Sequence, residues 1–387
     1  MTKEVFLAKT FDGFENILLN ELKGYGAKNT TALNRSVQFE GDFNLLYKVN
    51  YCSRFAIRVL WQVKKFDFDS NDSFYQEVKS FSADQYLSRS GTFAVSCTAS
   101  DTIFKTPLFA ALLAKDAICD RFRDRYGIRP DVDKEDTEVQ FHIHVHKNSA
   151  TLYLDSSGES LHKRGYKVSN HPASINEITA AAMVALSGWT GNCDFIDPMC
   201  GGATILIEAA MQALNIPAGY YRKKFGFFNW LNFDRYTWKK IMNEVVIRDD
   251  ISVDLYGYDC NPRFLGMAKA NVESARLEEF ILLNKRDMRT IKPKRTPAMI
   301  IFNPPYGERL EIEDNNAFYK EIGDALKQNF SRCKAFLISS DTDALKHIGL
   351  KTCFKQNMFN GPLACKYYGY DLFSGKLSPN KPLTTNH

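Results

Sequence analysis

Asn303, Pro304, Pro305 and Tyr306 follow directly on Met299-Ile300-Ile301-Phe302, four apolar residues of strand type. The pattern predicts a strand that stops abruptly, because proline fixes its own φ and has no N–H to give to a ladder. In an open parallel sheet, ligands collect outside the carboxyl ends of the strands, so this is a place for chemistry. The Asn303 side-chain amide and the Pro304 carbonyl offer two acceptors on a stiffened backbone, and Tyr306 offers a flat face. Two acceptors beside an aromatic ring suit a planar base carrying an exocyclic amino group. An ordinary strand-to-loop turn with a proline pair accounts for the same four residues.

Asn303-Pro304-Pro305-Tyr306 resembles the signature of methyltransferases that act on exocyclic amino groups of nucleobases with S-adenosylmethionine. The resemblance implies catalytic roles for Asn303, Pro304 and Tyr306. The lone pair of such an amine is delocalised into the ring; accepting hydrogen bonds from its two N–H groups localises the pair and aims it at the methyl carbon. No strong base is then required, because the amine loses its proton during or after transfer.

Other strand ends carry polar residues in matching order. Cys193-Asp194-Phe195-Ile196-Asp197 reads as a buried strand, followed by Pro198-Met199-Cys200-Gly201-Gly202-Ala203 and a helix opening near Thr204. This is not the Gly-x-Gly-x-x-Gly of dinucleotide binders. It resembles the Asp-Pro-x-Cys-Gly-Ser-Gly-Thr motif for S-adenosylmethionine, with Gly202 in place of serine and Ala203 in place of the second glycine. That implies a cofactor site at Asp197, Pro198, Cys200, Gly201 and Thr204, with Asn303 beside it; Ala203 makes a positive φ in the turn costly. Asp259 ends a strand before Asn261-Pro262 and could accept both ribose hydroxyls, and Asp287 follows Ile281-Leu282-Leu283-Asn284 and suits an adenine amino group. Each acid alone is as often a helix cap, but their order before Asn303 argues against accident.

The 387 residues suffice for two or three domains; 44% are hydrophobic, 25% charged, and the net charge is +5. Those values exclude a fibrous or disordered chain and permit a polyanionic partner without demanding one. No run of 18 apolar residues occurs and the amino terminus lacks a secretory pattern, so a cytoplasmic protein without membrane contact is expected. The nine cysteines include no Cys-x-x-Cys pair and read as reduced thiols.

The amino-terminal segment alternates strand and helix, suggesting a small α+β unit. Farther on, strands are expected near 55–63, 92–97, 139–146 and 151–155, with helices over 74–86 and 106–126. His142, His144 and His146 share one strand face; no carboxylate or cysteine stands at ligand spacing, so no metal is expected. Residues 55 to 155, especially Phe104-Lys105-Thr106-Pro107 leading into the Leu113–Ile118 stretch, resemble the THUMP domain of RNA-modifying enzymes. The resemblance implies an RNA-docking module with phosphate contacts from Lys105, Lys115, Arg121 and Arg125, although Asp116, Asp120 and Asp124 interleave and a solvated helix face fits as well.

Arg164-Gly165-Tyr166-Lys167 resembles the Arg-Gly-Tyr-Arg before the catalytic domain of bacterial THUMP-bearing methyltransferases, which brings Arg164 into the RNA-binding set. Ser174 and Glu177 have capping-box spacing ahead of an alanine-rich helix; in that family the same place is a loop and helix flanking the cofactor, which implies cofactor-binding roles for Asn176 and Glu177, although capping alone accounts for Glu177. Between Ala218 and Lys240 lie nine aromatics with Arg222, Lys223, Lys224 and three further cations against Asp234 alone. Stacking on unpaired bases and packing on the sheet are equal readings of the aromatics; Phe225-Gly226-Phe227 with Trp230 and Asp234 resembles the ribosomal-RNA guanine methyltransferases and favours an RNA role for the cations. Asn360-Gly361 marks a hairpin.

The expected fold is α/β: a ferredoxin-like domain (1–54), a THUMP domain (55–155), a linker (156–170), a Rossmann-like class I methyltransferase domain (171–373) whose mostly parallel seven-stranded sheet ends in an antiparallel hairpin, and a polar tail (374–387). The resemblance implies an enzyme methylating a guanine exocyclic amine in large-subunit ribosomal RNA, and a monomer is expected. The alternatives are transfer RNA as substrate or a non-catalytic RNA-binding factor; a DNA adenine methyltransferase ranks below these, with no target-reading domain apparent.

Overall fold

The computed structural model describes residues 3–133, 135, 137–169, 174–305 and 314–373. They divide into two compact units, one of residues 1–165 with 217–246 and one of residues 166–216 with 247–387.

The first unit is built on one sheet. It begins β1 (Glu4–Lys9), α1 (Glu15–Gly24), β2 (Lys28–Leu33), β3 (Ser36–Gly41), α2 (Phe43–Cys52) and β4 (Arg58–Asp67). It continues α3 (Asn71–Ser80), β5 (Thr92–Ser100), α4 (Pro107–Tyr126), β6 (Asp131–Val132), β7 (Val139–His146) and β8 (Ser149–Asp155). The strand order is β2-β3-β1-β4-β8-β7-β5-β6. β4 pairs antiparallel with β1 on one side and β8 on the other, so the sheet is continuous from residue 4 to residue 155. Phe43 of α2 packs on Phe6 and Trp61, and Phe74 of α3 on Phe66, burying one sheet face. β2 went unforeseen: it is an edge strand exposed at five of six positions and lacks an apolar alternation.

The second unit carries α5 (Glu177–Leu186), β9 (Asp194–Asp197) and α6 (Thr204–Ala213); α7 (Arg235–Glu244) belongs to the first unit. β10 (Leu255–Asp259), α8 (Pro262–Ser274), β11 (Ile281–Lys285), β12 (Ala298–Phe302), α9 (Asn315–Asn329), β13 (Lys334–Ser339), β14 (Thr352–Asn360) and β15 (Leu363–Asp371) complete it. The order is β11-β10-β9-β12-β13-β15-β14, with β15 antiparallel to both neighbours. This is the expected seven-stranded sheet, and its hairpin turns at Asn360-Gly361, where Gly361 has φ +63°. Tyr319, Ile322 and Leu326 of α9 pack on Ile196, Tyr258, Ile300 and Phe302. On the other face, Leu206 of α6 approaches β10 so closely that a Cβ at Gly257 would lie 2.6 Å from its Cδ1. Parallel strands buried on both faces account for the unbroken apolar run Ala298–Phe302.

Candidate active site

The carboxyl ends of β9, β10, β11 and β12 open on one cavity of about 440 Å³ in the second unit. Asp197, Pro198, Cys200, Gly201, Thr204, Asp259, Asp287, Asn303 and Pro304 all line it. The strand-end residues read from the sequence therefore converge, because parallel neighbours present their carboxyl ends on the same side.

The glycine turn after β9 is held from the neighbouring strand. The Cys200 amide donates to the Tyr258 carbonyl (2.8 Å), and the Gly201 amide donates to Asp259 Oδ2 (3.1 Å). Asp259 Oδ1 accepts from the Asn261 amide (2.9 Å), and Asn261 in turn caps α8 through the Arg263 amide. Asp259 thus positions two turns while its side chain faces the cavity. Gly201 and Ala203 both have positive φ, +50° and +63°. The left-handed alanine costs about 1 kcal/mol, so the departure from glycine is accommodated with strain and the turn is kept. Asp197 is fully buried; burial pushes its carboxyl well above the usual range, the Met199 amide opposes this, and the Asp259 charge adds to it.

One positioning residue was missed. Asn271, buried in α8, accepts from the Val168 and Ser169 amides (both 2.9 Å) and donates to the Ser169 and Gly202 carbonyls (both 3.0 Å). It fixes the glycine turn to the segment entering the unit. Nothing in its sequence surroundings marks it, since an asparagine within a helix ordinarily faces water. Phe264, Arg289, Phe318 and Glu321 also line the cavity from places the motifs did not reach.

Two expected cofactor residues lie elsewhere. Asn176 is the N-cap of α5, its side chain accepting from the Ile178 amide (2.9 Å), and Glu177 pairs with Lys167 (3.1 Å). Neither lines the cavity, whereas Ser174 and Ile175 do. The cap is therefore Asn176, not the Ser174 of the expected capping box. Tyr306 lies outside the described residues.

The expected RNA contacts divide in the same way. Lys105, Lys223 and Lys224 are exposed, while Lys115 pairs with Asp116 (2.7 Å). Arg121 is committed to Asp84 (2.9 Å), the Lys79 and Ser80 carbonyls and Ser82 Oγ. Arg164 is 1% exposed and donates to the Leu161 and Arg54 carbonyls. Arg222 donates to the carbonyls of Ser157, Glu159, Ser160 and Lys163 and stands over the Phe225 ring; burial pulls its pKa down to about 10. These three arginines are structural, because helix ends and loops whose carbonyls lack backbone partners are best satisfied by a five-donor cation.

The aromatics of 217–246 are likewise mostly core, though not on the seven-stranded sheet. Phe227 packs at a tilt against Tyr47 (4.5 Å between centroids), Trp238 meets Tyr51 (5.3 Å) and Trp230 meets Trp61 (5.8 Å). Gly226 sits where a Cβ would lie 2.8 Å from the Asp155 carbonyl, which explains the Phe-Gly-Phe spacing. Tyr220 and Tyr236 remain exposed.

The three histidines of β7 bond to hydroxyls of β5: His142 with Ser96 (2.9 Å), His144 with Thr98 (3.0 Å) and His146 with Ser100 (3.0 Å). Among the described residues no group of three His, Cys, Asp or Glu side chains could hold a metal ion, and no helix is long and apolar enough to cross a membrane.

Comparison with known proteins agrees with this geometry. Residues 5–60 match the RlmL ferredoxin-like domain, 54–155 the THUMP domain, and 164–369 the RMKL-like methyltransferase domain. The chain is 37% identical over 372 residues to the ribosomal RNA large subunit methyltransferase K/L of Desulfotalea psychrophila, covering 93% of this chain and 52% of that protein. It spans about half the length of that relative. A Synechocystis protein with a provisional RNA methyltransferase name is 34% identical, with 96% of this chain and 98% of that one covered. A crystal structure of a provisionally named methyltransferase complexed with S-adenosylhomocysteine superposes with a TM-score of 0.87 at 26% identity, covering 97% of this chain and 100% of that one. The matched domain takes in more than half of the residues, the seven-stranded sheet except the last two residues of β15, and every wall of the cavity, and the chain belongs to the RMKL-like methyltransferase family.

Proposed function

We propose that the protein transfers a methyl group from S-adenosylmethionine to the exocyclic amine, N2, of a guanine in large-subunit ribosomal RNA. The observation that carries this reading is the meeting of Asn303-Pro304-Pro305 with Gly201, Asp259 and Asp287 in one cavity. The residues fit the cofactor. About 440 Å³ is ample for a nucleoside-sized ligand, the glycine turn exposes backbone, two carboxylates stand ready for hydroxyl and amino donors, and Met199, Phe264, Met288 and Ile322 supply apolar walls.

Bound there, S-adenosylmethionine supplies an electrophilic methyl group. Asp259 accepts the ribose hydroxyls and Asp287 the adenine amine. Asn303 and the Pro304 carbonyl accept from the target amine, localising its lone pair; this contact strengthens in the transition state and so acts on the rate. The apolar walls keep water from the methyl group. Ribosomal RNA as substrate is supported by the name of the Desulfotalea relative, and a docking role for residues 54–155 by their match to the THUMP domain. We place the reaction in the cytoplasm, where that RNA is made.

The test uses 23S ribosomal RNA and transfer RNA from a strain lacking the gene. Purified protein should form N2-methylguanosine in 23S RNA, read by nucleoside mass spectrometry; N6-methyladenosine, or product in transfer RNA alone, would overturn the base or the substrate. Asn303→Ala should bind S-adenosylhomocysteine normally while single-turnover transfer falls on the order of a hundred- to a thousandfold. A folded Asn303→Ala protein with a near-parental rate would sink the mechanism.

A further inference from the structure

We propose that Arg289 is a positioning residue for cofactor recognition: its guanidinium locks Asp287 in an orientation that leaves one acceptor direction for the exocyclic amine of an adenine ring, and ties that acid to helix α9. The inference rests on reading the cavity as a nucleoside site.

Three N–H donors of Arg289 converge on the Asp287 carboxylate. The backbone amide and Nε both reach Oδ1 at 2.9 Å, and Nη2 reaches Oδ2 at 2.5 Å. A carboxylate offers about four lone-pair directions, so Oδ1 is filled and Oδ2 keeps one. The fork geometry fixes the carboxylate plane as a single hydrogen bond could not. The same guanidinium gives Nη1 to Glu321 Oε2 on α9 (3.1 Å), and the Arg289 carbonyl accepts from Asn329 Nδ2 at the end of that helix (2.8 Å). Asp287, Arg289 and Glu321 all line the cavity. One side chain therefore joins the acid after β11 to the helix that follows β12.

Stability does not explain the arrangement. Arg289 and Glu321 are more than half exposed, and exposed ion pairs contribute little to folding. Orientation is what the contacts provide. The Arg289 hydrogen bonds also hold the Asp287 carboxyl below the usual range, so it stays an acceptor only. An acceptor-only group of fixed orientation selects an amine over a carbonyl at the same ring position.

S-adenosylhomocysteine and its 6-deamino analogue, which has a purine ring with hydrogen in place of the amine and the same unprotonated N1, differ in that amine alone and provide the test, with binding to the full chain measured by calorimetry. The parent should prefer the adenosyl compound by roughly ten- to a hundredfold, the size of one hydrogen bond to a charged group. Arg289→Met should bring the two affinities within about threefold of one another, and Arg289→Lys should do nearly the same because an ammonium cannot span both oxygens. The lysine variant carries the test if the methionine variant does not fold. Variants that keep or raise the parental ratio, whatever their melting temperature, would reduce Arg289 to a brace and overturn the proposal; so would a parent that binds both compounds equally. A parent that binds neither refutes the nucleoside site itself, a distinct failure.

Discussion

Asp259 holds two turns and, in the proposed function, also the cofactor ribose, and the two roles can be measured separately. Its oxygens accept from the Gly201 amide at 3.1 Å and the Asn261 amide at 2.9 Å, and the residue is only 8% exposed. In Asp259→Asn one oxygen can still accept from one of these amides, but the new NH2 faces the other, donor against donor. The loss is one charge-assisted hydrogen bond plus an unsatisfied N–H, about 2–3 kcal/mol together. For a unit of this size that lowers the melting temperature by roughly 5–10 °C, at about 2–4 °C per kcal/mol. If the carboxylate also accepts the ribose hydroxyls, S-adenosylhomocysteine should bind roughly 10- to 1,000-fold more weakly, from one or two lost contacts of about 1.5–2 kcal/mol each. A 2′-deoxy analogue separates the roles. The parent should bind it at least about tenfold more weakly than S-adenosylhomocysteine, whereas the variant should hardly distinguish the two. Calorimetry below the melting range of both proteins reads this directly. A variant with the expected thermal loss but parental affinity and parental discrimination against the deoxy analogue would show that Asp259 holds the turn and nothing else.

Asn271→Ala removes four hydrogen bonds that tie the glycine turn at Gly202 to residues 168–169, and chemical denaturation should show a loss of about 2–4 kcal/mol, against about 1 kcal/mol for the helix cap Asn261→Ala; a loss no larger than that of the cap would mean that water largely replaces Asn271. His142 has its pKa lowered to about 3, by burial first and by the Lys9 charge next. Its folded pKa lies below the unfolded value near 6.5, so no penalty exists above that pH, and stability falls by up to about 1.4 kcal/mol per unit as pH drops from 6.5 toward 3. The melting temperature of His142→Gln should therefore fall less steeply than that of the parent over this window, and parallel curves would contradict the assignment.

Much of the second unit was legible because its logic is local. Each parallel strand is a short, largely apolar run, and the polar residues at or just past its end, Asp197, Asp259, Asp287 and Asn303, must emerge on one side of the sheet whatever the loops do. The Asn360-Gly361 hairpin was legible for a similar reason, since backbone chirality limits which residues can turn there. The sequence by itself thus determined the layering of the second unit and the chemical character of its cavity.

Only the tertiary structure decided which polar and aromatic residues were already engaged. Arg121, Arg164 and Arg222 resemble exposed cations in sequence, yet each spends its donors on carbonyls or an acid, and the carbonyls of Arg222 stand about 60 residues away along the chain. Phe227, Trp230 and Trp238 have the composition of a base-stacking surface but are covered by Tyr47, Trp61 and Tyr51, well over a hundred residues earlier. Asn271 and Arg289 gain their roles from turns and helices they meet in space. Residue type and spacing report what a side chain can do within a few turns of its own backbone; whether water, a ligand or a distant carbonyl uses that capacity is fixed by which segments pack together, and the long-range contacts that decide it leave no period in the sequence.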